Sequence, residues 1–182
     1  FLLGRGYSLE QVERGSRLVL PVDNTDLAMR LAAAASAAGP DYRLHEWSGR
    51  IPARWLEDMA MLYTAMSTEE PSAGLEEPES VWTPERITQT EELAADDGRI
   101  SLFAVVEHLP TGRLCGLTML SVPADTTRVV SQEDTLVMPA HRGHRLGTWM
   151  KIANIRQLQR DQPGHPAITT FNAEENRPML DV

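Results

Sequence analysis

Three runs rich in β-branched and apolar residues, 101–108 (SLFAVVEH), 113–122 (RLCGLTMLSV) and 129–138 (VVSQEDTLVM), follow one another so closely that no helix fits between them. Parallel neighbours need a crossover of about a dozen residues or more, so the turn at Pro110-Thr111-Gly112 and the short link after the second run impose an antiparallel meander. After it come the passage PAHRGHRLG and a helix from Thr148 to about Gln162 with Met150, Ala153 and Leu158 turned inward. A PGHP break, a strand over 167–171 (AITTF) and a helix beginning near Asn176 complete the order. Meander, loop, helix and strand in that sequence predict an α+β domain, a mixed and largely antiparallel sheet flanked by helices.

The chain upstream reads as separate elements. Leu18, Leu20 and Val22 alternate with Val19 and Pro21 as a strand would. Residues 24–38 form a helix, with Asn24 or Thr25 as its cap, Leu27, Leu31 and Ala35 on one face and Gly39-Pro40 as its stop. A strand over 42–47 and a helix opened by Pro52 follow, the latter placing Trp55, Met59, Leu62 and Met66 on one core-facing stripe. The stretch 67–80 (STEEPSAGLEEPES) is acidic and proline-broken, hence a solvated loop or an acidic rim that draws in a cationic molecule. Thr83 caps a further helix with Pro84 at its first position, and Trp82 before it serves as a hydrophobic staple or as a wall of an acceptor site.

With 26 Asp+Glu against 17 Lys+Arg, the net charge of −9 argues against non-specific nucleic-acid binding, which needs a broad basic face. An anionic ligand then requires a local cationic site. The passage 139–147 supplies one: residues 141–151 hold Arg142, Arg145 and Lys151 and no acid. It also enters a helix, whose N-terminus offers free N–H donors and the positive end of the helix dipole, while Gly143 and Gly147 let the backbone approach a ligand closely. No apolar run approaches the ~20 residues of a bilayer-spanning helix, and no secretory leader is visible, so a cytoplasmic protein without membrane attachment is expected. Cys115 is the single cysteine, mid-strand, and reads as a buried structural thiol. His141 and His144 lack carboxylate partners in the sequence, and no metal site is expected.

On these residues the chain resembles the GCN5-related N-acetyltransferases, or GNAT superfamily. Their acetyl-CoA loop follows the fourth strand and reads Arg or Gln, two residues, Gly, one residue, then Gly or Ala. Arg142 fills the first position and Gly147 the last, whereas Arg145 stands where the middle Gly is expected. The passage TLVMPAHRGHRLG, the following strand ending TFNAEEN and the preceding meander occur in family order over roughly residues 41–182.

The resemblance implies acetyl-CoA in an opening where the fourth and fifth strands splay apart, its pantetheine paired with the backbone of Leu136, Val137 and Met138. Its pyrophosphate would meet the amides of Arg142, Gly143, His144, Arg145, Leu146, Gly147 and Thr148. Asn176 matches an Asn that contacts the pantetheine arm, and would equally serve as a helix cap. The family's general-acid Tyr would fall at position 183, after Val182. For a base, Glu133 matches the glutamate of the histone-acetylating branch; period-two geometry puts it on one face with Thr135 and Val137 and turns Asp134 the other way.

The implied activity is transfer of acetyl from acetyl-CoA to a primary amine of a small, cationic acceptor by direct attack. The alternative is a catalytically degenerate acetyl-CoA-binding or scaffold domain. The amino-terminal piece FLLGRGYSLEQVERGSRLVLP resembles the closing part of such a domain, its Leu-Gly-Phe-like end and last strand, which suggests a tandem protein. In that reading 1–24 is the tail of a preceding GNAT-like domain, 25–40 a linking helix and 41–182 a GNAT domain truncated at its C-terminus. The partner of the domain would then be its tandem neighbour or a second copy in a homodimer.

Overall fold

The meander forms the middle of a six-stranded sheet of order β1-β6-β5-β4-β3-β2. The computed structural model describes residues 1, 3–7, 12–69, 80–96 and 98–174. The strands are β1 (Glu13–Val19), β2 (Tyr42–Ser48), β3 (Arg99–His108), β4 (Arg113–Pro123), β5 (Val130–Val137) and β6 (Ala167–Ala173). The helices are α1 (Asn24–Ala38), α2 (Leu56–Glu69), α3 (Pro84–Asp96) and α4 (Leu146–Asp161). All neighbours are antiparallel except β5 and β6, which run parallel because α4 carries the chain across between them. The α+β architecture expected from the sequence is therefore the one observed.

Alternation along β3 divides the core. Phe103 and Val105 face α2 and α3, where they meet Met59, Leu62, Ile87, Leu117 and Leu136. Ala104 and Val106 face the other way, against Leu146 and Met150 of α4, and Leu102 joins Leu120, Val130, Leu158 and Ile168. The stripe Trp55, Met59, Leu62 and Met66 is buried as its spacing demanded.

Local chemistry sets the helix ends. The cap of α1 is Asp23, not Asn24 or Thr25: its carboxylate accepts from the Asp26 N–H at 2.8 Å, and a charged acceptor gains most at the positive end of a helix. Thr83 caps α3 as expected, accepting from the Arg86 N–H at 3.2 Å. Helix α4 begins at Leu146 rather than Thr148, because the Arg145 carbonyl already accepts from the Trp149 N–H at 3.0 Å. Strand β1 lies at the sheet edge, paired with β6 from Glu13↔Ala173 to Val19↔Ala167, and every one of its residues is exposed. Residues 70–79, most of the acidic stretch, and residues 175–182, with Asn176 and its expected helix, lie outside the described residues.

The hairpin between β3 and β4 is tied to α2 by one buried carboxylate. Asp58, 5% exposed, accepts from the Leu114 N–H at 2.8 Å and pairs with the largely exposed Arg113 at 2.8 Å. Asp58→Ala leaves that amide unpaired in the core and is expected to lower the unfolding free energy by about 2 kcal/mol. The Asn variant, which keeps an acceptor, loses less. Denaturant titration of the two variants measures both.

Candidate functional site

β5 and β6 pair at Val130↔Ile168 and Ser131↔Thr169 and nowhere beyond. From Gln132 onward the two strands diverge, which produces the expected splayed pair. The ladder with β4 decides which β5 groups look into that opening. The Met138 N–H donates to the Cys115 carbonyl at 2.9 Å, so Met138 is a hydrogen-bonded residue of the ladder, and alternation makes Leu136 another. Val137 and Thr135 are then the residues whose own N–H and C=O turn away from β4, toward the opening. Of Leu136, Val137 and Met138, only Val137 presents its backbone there. Thr135, which period-two spacing puts on one face with Val137, joins it.

A β-bulge lies just before this edge. Thr118 pairs with Thr135 but Leu120 pairs with Gln132, so β5 carries one residue more than β4 over this stretch. The extra residue breaks the period of two. Gln132, not Glu133, shares a face with Thr135 and Val137, and its side-chain amide donates to the Thr118 hydroxyl at 3.0 Å and the Met119 carbonyl at 2.9 Å. The Thr118 and Thr135 hydroxyls bond each other at 2.8 Å. Glu133 is left exposed at the bulge, and Asp134 is partly buried. Burial, and then the neighbouring Glu133, raise the Asp134 carboxyl above the ordinary carboxylate range. The Tyr63 hydroxyl of α2 is likewise pushed up by burial and by Asp134 and Glu91. The Tyr63 ring leans on Trp82 at 5.0 Å between centroids, and both pack against the core beneath α2.

Beyond β5 the chain turns through Pro139–His141, and the Arg142 Nε donates to the Val137 carbonyl at 3.0 Å. Gly143 takes φ 88°, and Arg145 takes φ 54°, ψ 24°, the left-handed conformation. Arg145 is the one non-glycine residue among those described with positive φ. At the position where the resemblance calls for Gly, a glycine-type backbone thus carries an arginine. No side chain caps α4, which leaves the N–H groups of Leu146, Gly147 and Thr148 open. A Cβ on Gly147 would meet nothing nearer than Val137 Cγ2 at 3.9 Å, so packing does not require glycine there, while a closely approaching ligand would. From Thr135 to Arg160 there is no acid.

Behind the loop, Tyr42 collects three imidazoles. Its hydroxyl bonds His141 Nδ1 at 3.1 Å, and its ring lies 5.2 Å from His144 and 5.4 Å from His108. Burial, then His108 and His144, hold His141 below the usual imidazole range. Cys115 is 2% exposed and its thiol is pushed up to about 12 by burial, as befits an inert structural cysteine. No group of three His, Cys, Asp or Glu suited to a metal occurs among the described residues. No helix among them is long and apolar enough to cross a membrane.

No family model matches the chain, and no curated protein matches it. Solved structures do. A tandem GNAT protein from the clavulanic acid biosynthesis pathway, described without AcCoA, superposes over 96% of this chain with TM-score 0.72 and 26% identity. This chain spans 48% of that protein's length. An acetyltransferase from Trypanosoma brucei matches 78% of this chain and 89% of its own, with TM-score 0.55 and 21% identity. Glucosamine-6-phosphate N-acetyltransferase from Arabidopsis thaliana matches the same shares with TM-score 0.54 and 14% identity. The last two share the fold with this chain.

The left-handed Arg145 costs roughly 1–2 kcal/mol against an ordinary backbone. Arg145→Gly removes that cost, offset in part by the greater freedom of Gly in the unfolded chain, and is expected to raise the unfolding free energy by about 0.5–1 kcal/mol. Arg145→Ala keeps the strain and should leave stability nearly unchanged. Chemical denaturation of the pair checks the difference.

Proposed function

We propose that this chain, which belongs to the GCN5-related N-acetyltransferase superfamily, binds acetyl-CoA at the β5–α4 turn and transfers its acetyl group to a small cationic amine. The observation that carries the reading is the uncapped start of α4, set beside an opened strand edge and among Arg142, Arg145 and Lys151 in a chain of net charge −9. The residues present suit such a ligand. Open N–H groups at Leu146, Gly147 and Thr148, with the loop amides of Gly143, His144 and Arg145, offer donors for a pyrophosphate, whereas the Arg142 N–H is already given to the Pro139 carbonyl at 3.3 Å. Gly147 leaves room for its approach. The backbone of Thr135 and Val137 can take up the pantetheine amides as an added strand would.

Acetyl-CoA supplies an activated thioester when bound. The chain's own residues do the rest. The inward-facing N–H groups of β5 can polarise a carbonyl placed at the bulge. An amine attacks only when neutral, so its proton must go to a base, and two carboxylates at the bulge are candidates: Glu133, which matches the family glutamate, and Asp134. A carboxyl raised by burial is the better proton acceptor near neutral pH, which favours a share for Asp134. The same carboxylates, with Tyr63 and Trp82, suit a cationic acceptor. Whether residues 1–24 and the rest form part of a tandem pair belongs to this proposal too, and the tandem neighbour supports it.

Calorimetry with acetyl-CoA tests the cofactor site. The parent chain should bind in the micromolar range, Arg142→Ala about tenfold more weakly, and Gly147→Val not measurably while still folded. Absence of binding by the parent removes the reading. Thiol release across a panel of amines, in the complete protein, tests the base: Glu133→Gln or Asp134→Asn should cut kcat by about 100-fold with acetyl-CoA affinity retained. Parent-like rates in both variants would clear the bulge carboxylates of that role. Binding without turnover on any amine would instead favour the degenerate-domain reading.

A further inference from the structure

Lys151 is the only lysine in the chain, 16 of its 17 basic residues being arginine. It occupies the second turn of α4 and is half-buried there. Residues four and seven apart share one side of a helix, so Lys151 lies in line with Gly147 and Leu158. Both ends of that line are fixed. Gly147 stands against Val137 at the far end of β5, and Leu158 packs with Val130 and Ile168 where β5 and β6 are still joined. Lys151 falls between them, over the stretch where the two strands have parted. A helical side chain leans toward the N-terminus of its helix, so the lysine stem runs back over the turn that contains Gly147, whose lack of a side chain clears the way. Its reach is about one helical turn, which brings the ammonium to the level of the open N–H groups.

This is a costly place for a cation. The positive end of the helix dipole and Arg145 lie ahead of it, and burial alone depresses its pKa, with no carboxylate among the described residues to offset it. A half-buried positive charge with no carboxylate beside it among the described residues is explained when its partner is an anion that arrives from outside.

We propose that Lys151 is a cofactor-binding residue whose ammonium contacts the pyrophosphate from the β5 side of the α4 N-terminus, opposite Arg142 and Arg145. The inference rests on acetyl-CoA being the ligand and adds a residue that the loop pattern does not contain. Lys151 would be the counter-charge that lets a pyrophosphate sink between α4 and the parted strands instead of resting on the outer surface of the loop.

The test compares the parent chain with Lys151→Met and Lys151→Arg by calorimetry against acetyl-CoA, dephospho-CoA and acetyl-pantetheine. Lys151→Met should weaken acetyl-CoA and dephospho-CoA alike by about tenfold and leave acetyl-pantetheine unchanged, and Lys151→Arg should recover part of the loss. Without ligand, the thermal midpoint of Lys151→Met should equal or exceed that of the parent, since an unpaired buried charge has been removed. Equal affinity of parent and Lys151→Met for acetyl-CoA overturns the proposal while leaving the cofactor reading intact. So does a loss as large for acetyl-pantetheine as for acetyl-CoA, or a ligand-free midpoint that falls. If the parent binds none of the three, both the cofactor reading and this inference fail.

Discussion

The parting of β5 from β6 is the constraint on which the site depends. Parallel pairing holds for two registers, Val130↔Ile168 and Ser131↔Thr169, and then stops. A strand edge inside a sheet is thereby left without a partner strand among the described residues, and such an edge readily takes up an extended ligand. The bulge immediately after the last pair turns β5 away from β6, and the Gln132 amide holds the bulge in shape from the α4 side. Because the same strand runs straight into the turn before α4, the open edge and the uncapped helix start come to lie end to end. Neither would mean much alone. Together they set a strand edge with free donors against the positive end of a helix.

Electrostatics divides the molecule along the same line. The segment from Thr135 to Arg160 has no acid, whereas Glu133 and Asp134 stand just before it and the excess of carboxylates lies elsewhere. An anionic cofactor and a cationic acceptor would therefore meet across the bulge, each on the side whose charge suits it. The left-handed Arg145 follows the same logic. The backbone tolerates a conformation that favours glycine, and in return the loop carries another cation at the helix start.

Much of this was legible in the chain. The short turns dictated the antiparallel meander, helical spacing marked the core stripe of α2 and the cap at Thr83, and the acid-free passage with its glycines marked the turn before α4. What escaped the reading at β5 shares one cause, dependence on a partner distant in sequence. Glu133 was placed with Thr135 by counting in twos, and the count fails because β5 carries an extra residue relative to β4, a fact about two strands and not one. The backbone role passes from Leu136 and Met138 to Thr135 for the same kind of reason, since the ladder with β4 sets which groups are already spent. The α1 cap moved by one residue because Asp23 lies in an extended conformation that aims its carboxylate at the Asp26 N–H.

The sequence by itself determined the elements, their order, the α+β class and the cationic turn, because these follow from local periodicity, turn chemistry and charge, which act over a few residues. Only the tertiary structure decided where β5 lets go of β6, which strand atoms face the gap, that Asp134 is the more buried of two adjacent carboxylates, and that the lone lysine is half-buried. Each of those is settled by hydrogen-bond register and burial between segments far apart in the chain, and a one-residue slip in register would reassign every one of them.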